Sequence, residues 1–241
     1  MHVFFKGFRH PMMAIERIGW RKNKIIRTWI KGGQDDGFLK IHWSQTEHRW
    51  NFLNYCIEKY DYSSYLEIGC LNDQNFDQIN CELKVGVDPK SGGTVRKTSD
   101  EFFFENQQGF DLVFIDGLHH CEQVQADIKN SLACLNPGGR IVLHDCMPLA
   151  EAEQVRPREQ LVSMGDTWKA IAWARTLPEV DVAVGRFDTG VGVVLPRPNG
   201  SLIELDIPED EFLNLQWQDY TENYLQWLRV MEYDEILDWM E

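Results

Sequence analysis

The chain has 241 residues, 43% of them hydrophobic, and a net charge of −14. It is long enough to bury a full core as a single domain, and too acidic for a nucleic-acid binder, which turns a basic face toward phosphates. Its six cysteines (Cys56, Cys70, Cys81, Cys121, Cys134 and Cys146) form no CxxC pair and have no zinc-ligand spacing. They read as reduced thiols.

The charge is unevenly spread. Residues 1–31 carry Lys6, Arg9, Arg17, Arg21, Lys22, Lys24, Arg27 and Lys31 against Glu16 alone, a net of +7 that leaves the other residues at about −21. From Pro11 to about Ile30 the apolar residues are loosely spaced for a helix with basic residues between them. Such an arm suits an anionic membrane, an acidic partner, the protein's own domain or a second subunit. Lys6, Arg9, His10 and Pro11 interrupt any signal-peptide core, and no apolar run reaches the ~20 residues of a membrane span, so a cytoplasmic location is expected.

Gly32, Gly33 and Gly37 break the chain, and Ser44-Gln-Thr-Glu47 reads as a capping box opening a helix to about Tyr60. Strand patterns follow at Ser64–Gly69 and Leu83–Asp88. Only about 13 residues (Cys70–Glu82) separate them, so the helix between must be short. Thr98-Ser-Asp-Glu101 is a second capping box and starts a short helix. A third strand, Phe110–Asp116, precedes a helix at Gln123–Leu135, after which Pro137-Gly138-Gly139 turns into a strand at Arg140–Asp145. Beyond a charged, Pro-containing loop, Asp166 begins another helix, and Val180–Phe187 with Val191–Leu195 reads as a hairpin across Asp188-Thr-Gly190. The tail from Ser201 has twelve acids, one base (Arg229) and apolar residues at helical intervals. Strands alternating with helices and apolar on both faces predict an α/β fold, a doubly wound Rossmann-like sheet of mostly parallel strands with a terminal antiparallel hairpin. The expected organisation is a basic N-terminal arm and helix (1–60), a central domain (61–197) and an acidic helical extension (198–241).

In such a sheet, ligands sit at the carboxyl ends of the strands. Two strands end in an Asp beside His: Asp116 with His119, and Asp145 with His144. These four residues should converge on one pocket, although His144 also suits a satisfied core imidazole, and His120 is a less suited alternative to His119. Asp88, 21 residues after Glu67, ends the second strand, where one carboxylate can hold both hydroxyls of a ribose. The turn after the first strand, Gly69-Cys-Leu-Asn-Asp-Gln, has one Gly. A GxGxxG phosphate cradle is therefore missing, which disfavours NAD, FAD and nucleotide phosphates.

YLEIG, VGVDP, FDLVFIDGLHH and LNPGGRIVLHD, in that order and followed by RFDTGVGVVLP, resemble the class I S-adenosylmethionine (SAM)-dependent methyltransferases over residues 60–197. IDGLH followed by GGRIVLHD is similar to the branch of small-molecule O-methyltransferases acting on sugars and natural products. The resemblance implies that the backbone at Glu67 and Gly69 turns under the methionine part of SAM, with the Glu67 acid helping to order its amino group, that Asp88 holds its ribose, and that Ser99 and Asp100 contact the adenine. Asp116 would face both the methionine and the acceptor. The Gly-rich turn of the family is here CLNDQNF, which requires a different path.

Methyl transfer is an in-line displacement at the sulfonium methyl, so the protein mainly aligns the acceptor oxygen and excludes water. An alcohol must lose a proton as it attacks, and His119 is the candidate base. Alternatively a divalent cation acidifies the hydroxyl, and Asp116 and Asp145 match two ligand positions of metal-dependent relatives. Mg²⁺ prefers oxygen ligands, whereas an imidazole from His144 would suit a softer ion. Trp168 and Trp173 suit stacking on an acceptor or core packing. Arg156, Arg158 and Lys169 suit reading of an acidic group or simple solvation. The expected function is methyl transfer from SAM to a hydroxyl of a sugar, glycan or secondary metabolite, with association into a homo-oligomer through the terminal extensions. The alternatives are a degenerate fold serving as a binding or assembly subunit and a nicotinamide-dependent oxidoreductase.

Overall fold

The computed structural model describes residues 39, 41, 43, 47–157 and 163–241. The basic arm, Ser44 of the first capping box and Arg158 lie outside the described residues. Seven strands, β1 (Ser64–Ile68), β2 (Leu83–Val87), β3 (Phe110–Ile115), β4 (Leu135–Leu143), β5 (Asp181–Gly185), β6 (Val191–Leu195) and β7 (Val230–Met231), form one sheet. Their order is β2-β1-β3-β4-β6-β5-β7. The first four pair in parallel, and β6 runs antiparallel to both β4 and β5. The expected doubly wound sheet with its closing hairpin is therefore present.

Alternation along the strands builds two apolar layers, since successive side chains point to opposite faces. Leu66 and Ile68, Val113 and Ile115, and Ile141 and Leu143 share one face with helices α3 (Cys121–Cys134) and α5 (Thr167–Ala174). Tyr65, Leu112, Phe114 and Val142 point the other way, to α1 (Arg49–Lys59) and α7 (Tyr233–Trp239). Full burial of such side chains contributes about 1.5–3 kcal/mol each, so both faces of the sheet are held firmly and the strand ends are fixed in position.

Several details differ from the sequence reading. The first helix begins at Arg49, with His48 as its N-cap and no side-chain cap bond. The amide of Arg49 instead donates to Asp188 Oδ2 at 2.6 Å, and Glu47 accepts from Asn51. The second box does form: Thr98 accepts from the amide of Glu101, which caps it in return at the start of α2 (Ser99–Glu105). Between β1 and β2 there is one short 3₁₀ turn, Phe76–Gln78. In the tail, α6 (Trp217–Trp227) sets Tyr220 against Trp168, ring centroids 5.0 Å apart. β7 then adds a parallel edge to β5, an element of two residues with no period to read.

Candidate active site

β1, β3 and β4 run parallel with Ile68, Ile115 and Leu143 in register, so Gly69, Asp116 and His144 leave the sheet side by side. Gly69 has φ 88°, and a Cβ there would lie 2.4 Å from the Asp116 carbonyl oxygen and the Gly117 Cα. Only glycine permits this approach.

The structure brings together the four residues expected at the ends of β3 and β4. His119 Nε2 donates to Asp116 Oδ1 at 3.1 Å, and its Nδ1 lies 3.3 Å from the Ser163 carbonyl and 3.7 Å from Asp145 Oδ2. His144 Nδ1 is 3.3 Å from Asp116 Oδ1 and 3.4 Å from Asp145 Oδ1. His120, by contrast, is the N-cap residue of α3.

Three further residues complete the cluster, none of them singled out from the sequence. Arg49 reaches in from α1, with Nε 3.7 Å from Asp116 Oδ2 and Nη1 3.5 Å from Asp188 Oδ2. Asp188 and Thr189 come from the turn between β5 and β6; Asp188 Oδ1 lies 3.8 Å and Thr189 Oγ1 3.1 Å from His144 Nε2. Asp-Thr-Gly signals a turn in sequence, but nothing local says that the hairpin folds back over β4. Arg49 is one basic residue among many and carries no local signal.

The electrostatics follow from burial set against charge. Burial pushes Asp116 up most strongly, yet the charge of His144, the bonds from both histidines and Arg49 hold it well below the carboxylate range. Burial disfavours a charged His144, but Asp145 and Asp116 outweigh it and push the ring up to about 10. His119 is likewise raised against burial, by its bond to Asp116 and the charge of Asp145. Asp188 is lowered despite burial, by His144 and then Arg49. The site thus interleaves carboxylates with cations, the arrangement that stabilises buried charge.

Among the described residues, Asp116, His144 and Asp145 are the group with metal-ligand spacing, one donor atom from each lying within 4.8 Å of the others. A metal–donor distance near 2.1 Å requires donors about 3.0–3.4 Å apart. The two separations from His144 Nδ1 fit a divalent cation held by two oxygens and one nitrogen.

The residues expected on the cofactor side are arranged differently. Glu67 points to the α1 face of the sheet and is buried, accepting from Tyr65 Oη at 2.5 Å and Asn75 Nδ2 at 2.8 Å. Burial pushes its carboxyl up to about 7, against the bonds from Tyr65 and Asn75. Asp88 accepts from four backbone amides, those of Cys70, Leu71, Lys90 and Ser91. Burial opposes ionisation, but these bonds prevail and its pKa is lowered. The altered turn closes on the loop after β2, with Ser91 Oγ donating to the Leu71 carbonyl and the Gly93 amide to Asp73 Oδ1. Leu71 and Asp73 take positive φ in place of glycines. Ser99 and Asp100 lie on α2 and accept from Gln123 Nε2 of α3, away from the Asp116 cluster.

Other candidates have structural partners. Trp168 is fully buried and donates to Gln154, and Trp173 is buried under Lys129. Arg156 is paired with Glu122 and Asp166, and Lys169 donates to the Leu213 carbonyl. All six cysteines are free thiols.

The seven-stranded sheet has the fold of solved methyltransferase structures. Residues 72–146, about a third of the chain, match the family model described as a methyltransferase domain. No curated protein matches the sequence. Two of the solved structures that share the fold illustrate the likeness. One is provisionally described as a caffeoyl-CoA O-methyltransferase from Staphylococcus aureus (TM-score 0.51, 13% identity, covering 76% of this chain and 98% of that one). The other is the SAH-bound Podospora anserina methyltransferase PaMTH1 (TM-score 0.50, 15% identity, covering 80% and 98%). Among the described residues no helix is long and apolar enough to cross a membrane.

Proposed function

We propose that the protein is a SAM-dependent O-methyltransferase that acts in the cytoplasm on a hydroxyl of a sugar, glycan or secondary metabolite. The observation that carries this reading is the convergence of Asp116, His119, His144 and Asp145 at the ends of adjacent parallel strands within the methyltransferase domain. Asp116 orients His119 through Nε2, and the neutral ring would take the proton of the attacking hydroxyl at Nδ1 once that nitrogen exchanges its contact with the Ser163 carbonyl for the acceptor. Asp116 and Asp145 stabilise the imidazolium so formed. Gly69 and Asp116 would hold the methionine part of SAM, Asp88 its ribose, and Ser99 and Asp100 its adenine. Glu67 holds the first turn in place through Asn75 rather than touching the amino group. Asp116 and Asp145, with His144, would hold a divalent cation, which when bound acidifies a hydroxyl and orients a diol.

The test is turnover of methyl-labelled SAM with a panel of sugars, aromatic diols, amines and thiols, read as S-adenosylhomocysteine release and label in the acceptor. Label transfer to a hydroxyl that is lost in His119→Ala supports the reading; transfer only to nitrogen or sulfur acceptors refutes it. One observation favours a second reading, an assembly subunit with a disused cofactor site. The four amides on Asp88 already fill its acceptor positions, so a ribose must displace at least one of them.

A further inference from the structure

The turn joining β5 to β6 is strained where it meets the site. Asp188 has φ 39° and Thr189 φ 67°. A β-branched residue in that region is an outlier, whereas glycine or asparagine would adopt it readily. The threonine hydroxyl supplies a reason for the strain. Its single hydrogen goes to Asp145 Oδ1 at 2.6 Å or to the Asp188 carbonyl at 2.5 Å. Toward His144 Nε2, 3.1 Å away, the Thr189 oxygen can therefore only accept. Nε2 carries a proton, and the carboxylate of Asp188 lies behind it at 3.8 Å. Nδ1 is then the nitrogen turned toward Asp116 and Asp145, at 3.3 and 3.4 Å.

We propose that Thr189 is a positioning residue that presents Nδ1 of His144 as a metal ligand, and that the site takes a divalent cation of the Mn²⁺, Co²⁺ or Zn²⁺ class in preference to Mg²⁺. A histidine ligand characteristically donates its second N–H to an outer partner that fixes tautomer and ring orientation. Mg²⁺ demands oxygen donors, while imidazole raises affinity for the later divalent ions. The inference rests on the proposed function only for locating the reaction site at this cluster, and its test uses neither SAM nor acceptor.

The experiment is cation binding to the full chain, with Mn²⁺ followed by the loss of its free aquo-ion EPR signal, Mg²⁺ by competition, and Co²⁺ by its visible spectrum. The expected result is one Mn²⁺ per chain, bound at least ~10-fold more tightly than Mg²⁺. His144→Asp, an all-oxygen site, should lose most of that preference and change the Co²⁺ spectrum. Thr189→Ser should bind as the wild type does. Thr189→Gly should fold at least as stably, through relief of strain, yet bind Mn²⁺ about 10–100-fold more weakly. Should Thr189→Gly fail to fold, Thr189→Val, which keeps the branch and drops the hydroxyl, gives the same reading. Three results would overturn the inference: no Mn²⁺ binding at millimolar concentration, an unchanged ion preference in His144→Asp, or wild-type affinity in the variants that lack the hydroxyl. A wild type that transfers methyl groups but binds no cation would refute this inference alone; one that binds Mn²⁺ but not SAM would refute only the proposed activity.

Discussion

Glu67 is a carboxyl group placed in an apolar layer. It follows Tyr65 on the face of β1 that packs toward α1, is 1% exposed, and has two donors, Tyr65 and Asn75. Burial raises its pKa from 4.5 to about 7. The folded protein therefore holds this proton more tightly than the unfolded chain does, and the stability that the proton confers is complete below about pH 4.5 and lost as pH rises toward 7. At about 1.4 kcal/mol per pH unit over that interval, the loss is about 3 kcal/mol. Glu67→Gln keeps the shape and an acceptor for Tyr65 but cannot ionise. Urea unfolding of both proteins from pH 4.5 to 8 at fixed ionic strength isolates the effect, because taking the difference cancels the other titrating groups. The variant should gain about 3 kcal/mol on the wild type across this range. A difference that stays flat with pH would refute the assignment of Glu67 as a buried, proton-holding group.

Gly69→Ala would force a Cβ to within 2.4 Å of the Asp116 carbonyl at a positive φ, so a loss of more than about 3 kcal/mol is expected in chemical denaturation; wild-type stability would contradict the close approach of β1 and β3. His119→Ala should lower methyl transfer by about 10²–10⁴-fold while leaving calorimetric SAM affinity unchanged, and undiminished turnover would remove His119 as the base. Asp181 is buried and accepts from Arg197, Arg229 and Trp239, tying the C-terminal segment to β5. Asp181→Asn should cost about 2–3 kcal/mol, measured as a fall in Tm, and an unchanged Tm would mean that these pairs are merely superficial.

The sheet was legible because its signals are repeated. Five-residue apolar runs alternate with helices, and both GRIVLHD and FDLVFIDG end in the acids that mark strand ends. Thr98 and Glu101 lie three residues apart and needed nothing else to cap α2. The first helix starts later than the spacing of Ser44 and Glu47 predicts: Glu47 and His48 precede it, and a distant carboxylate, Asp188, accepts from its first amide. Local pattern is blind to such a contact between residues 139 positions apart. The same blindness hid Asp188 and Thr189, which enter the site because the hairpin folds back beside β4, and Arg49, which reaches it from α1. Trp168 and Lys169 show the converse: their residue types suit an acceptor pocket, but α5 is buried along its whole length, so packing claims them. The altered turn at Cys70–Phe76 was visible as a departure from the family pattern. Its path over Asp88 depends on amide bonds between two loops, which sequence spacing does not encode.

Calorimetric titration of SAM into the full chain, alongside Asp88→Asn, tests whether the protein binds SAM through Asp88. Asparagine keeps the size of Asp88 and removes the charge that both the loop amides and a ribose require. The expected result is one SAM per chain for the wild type and affinity weakened by at least ~10-fold in the variant, about the loss of one charged hydrogen bond. Absence of binding heat for the wild type at millimolar SAM across several temperatures, or equal affinity in Asp88→Asn, would contradict the account.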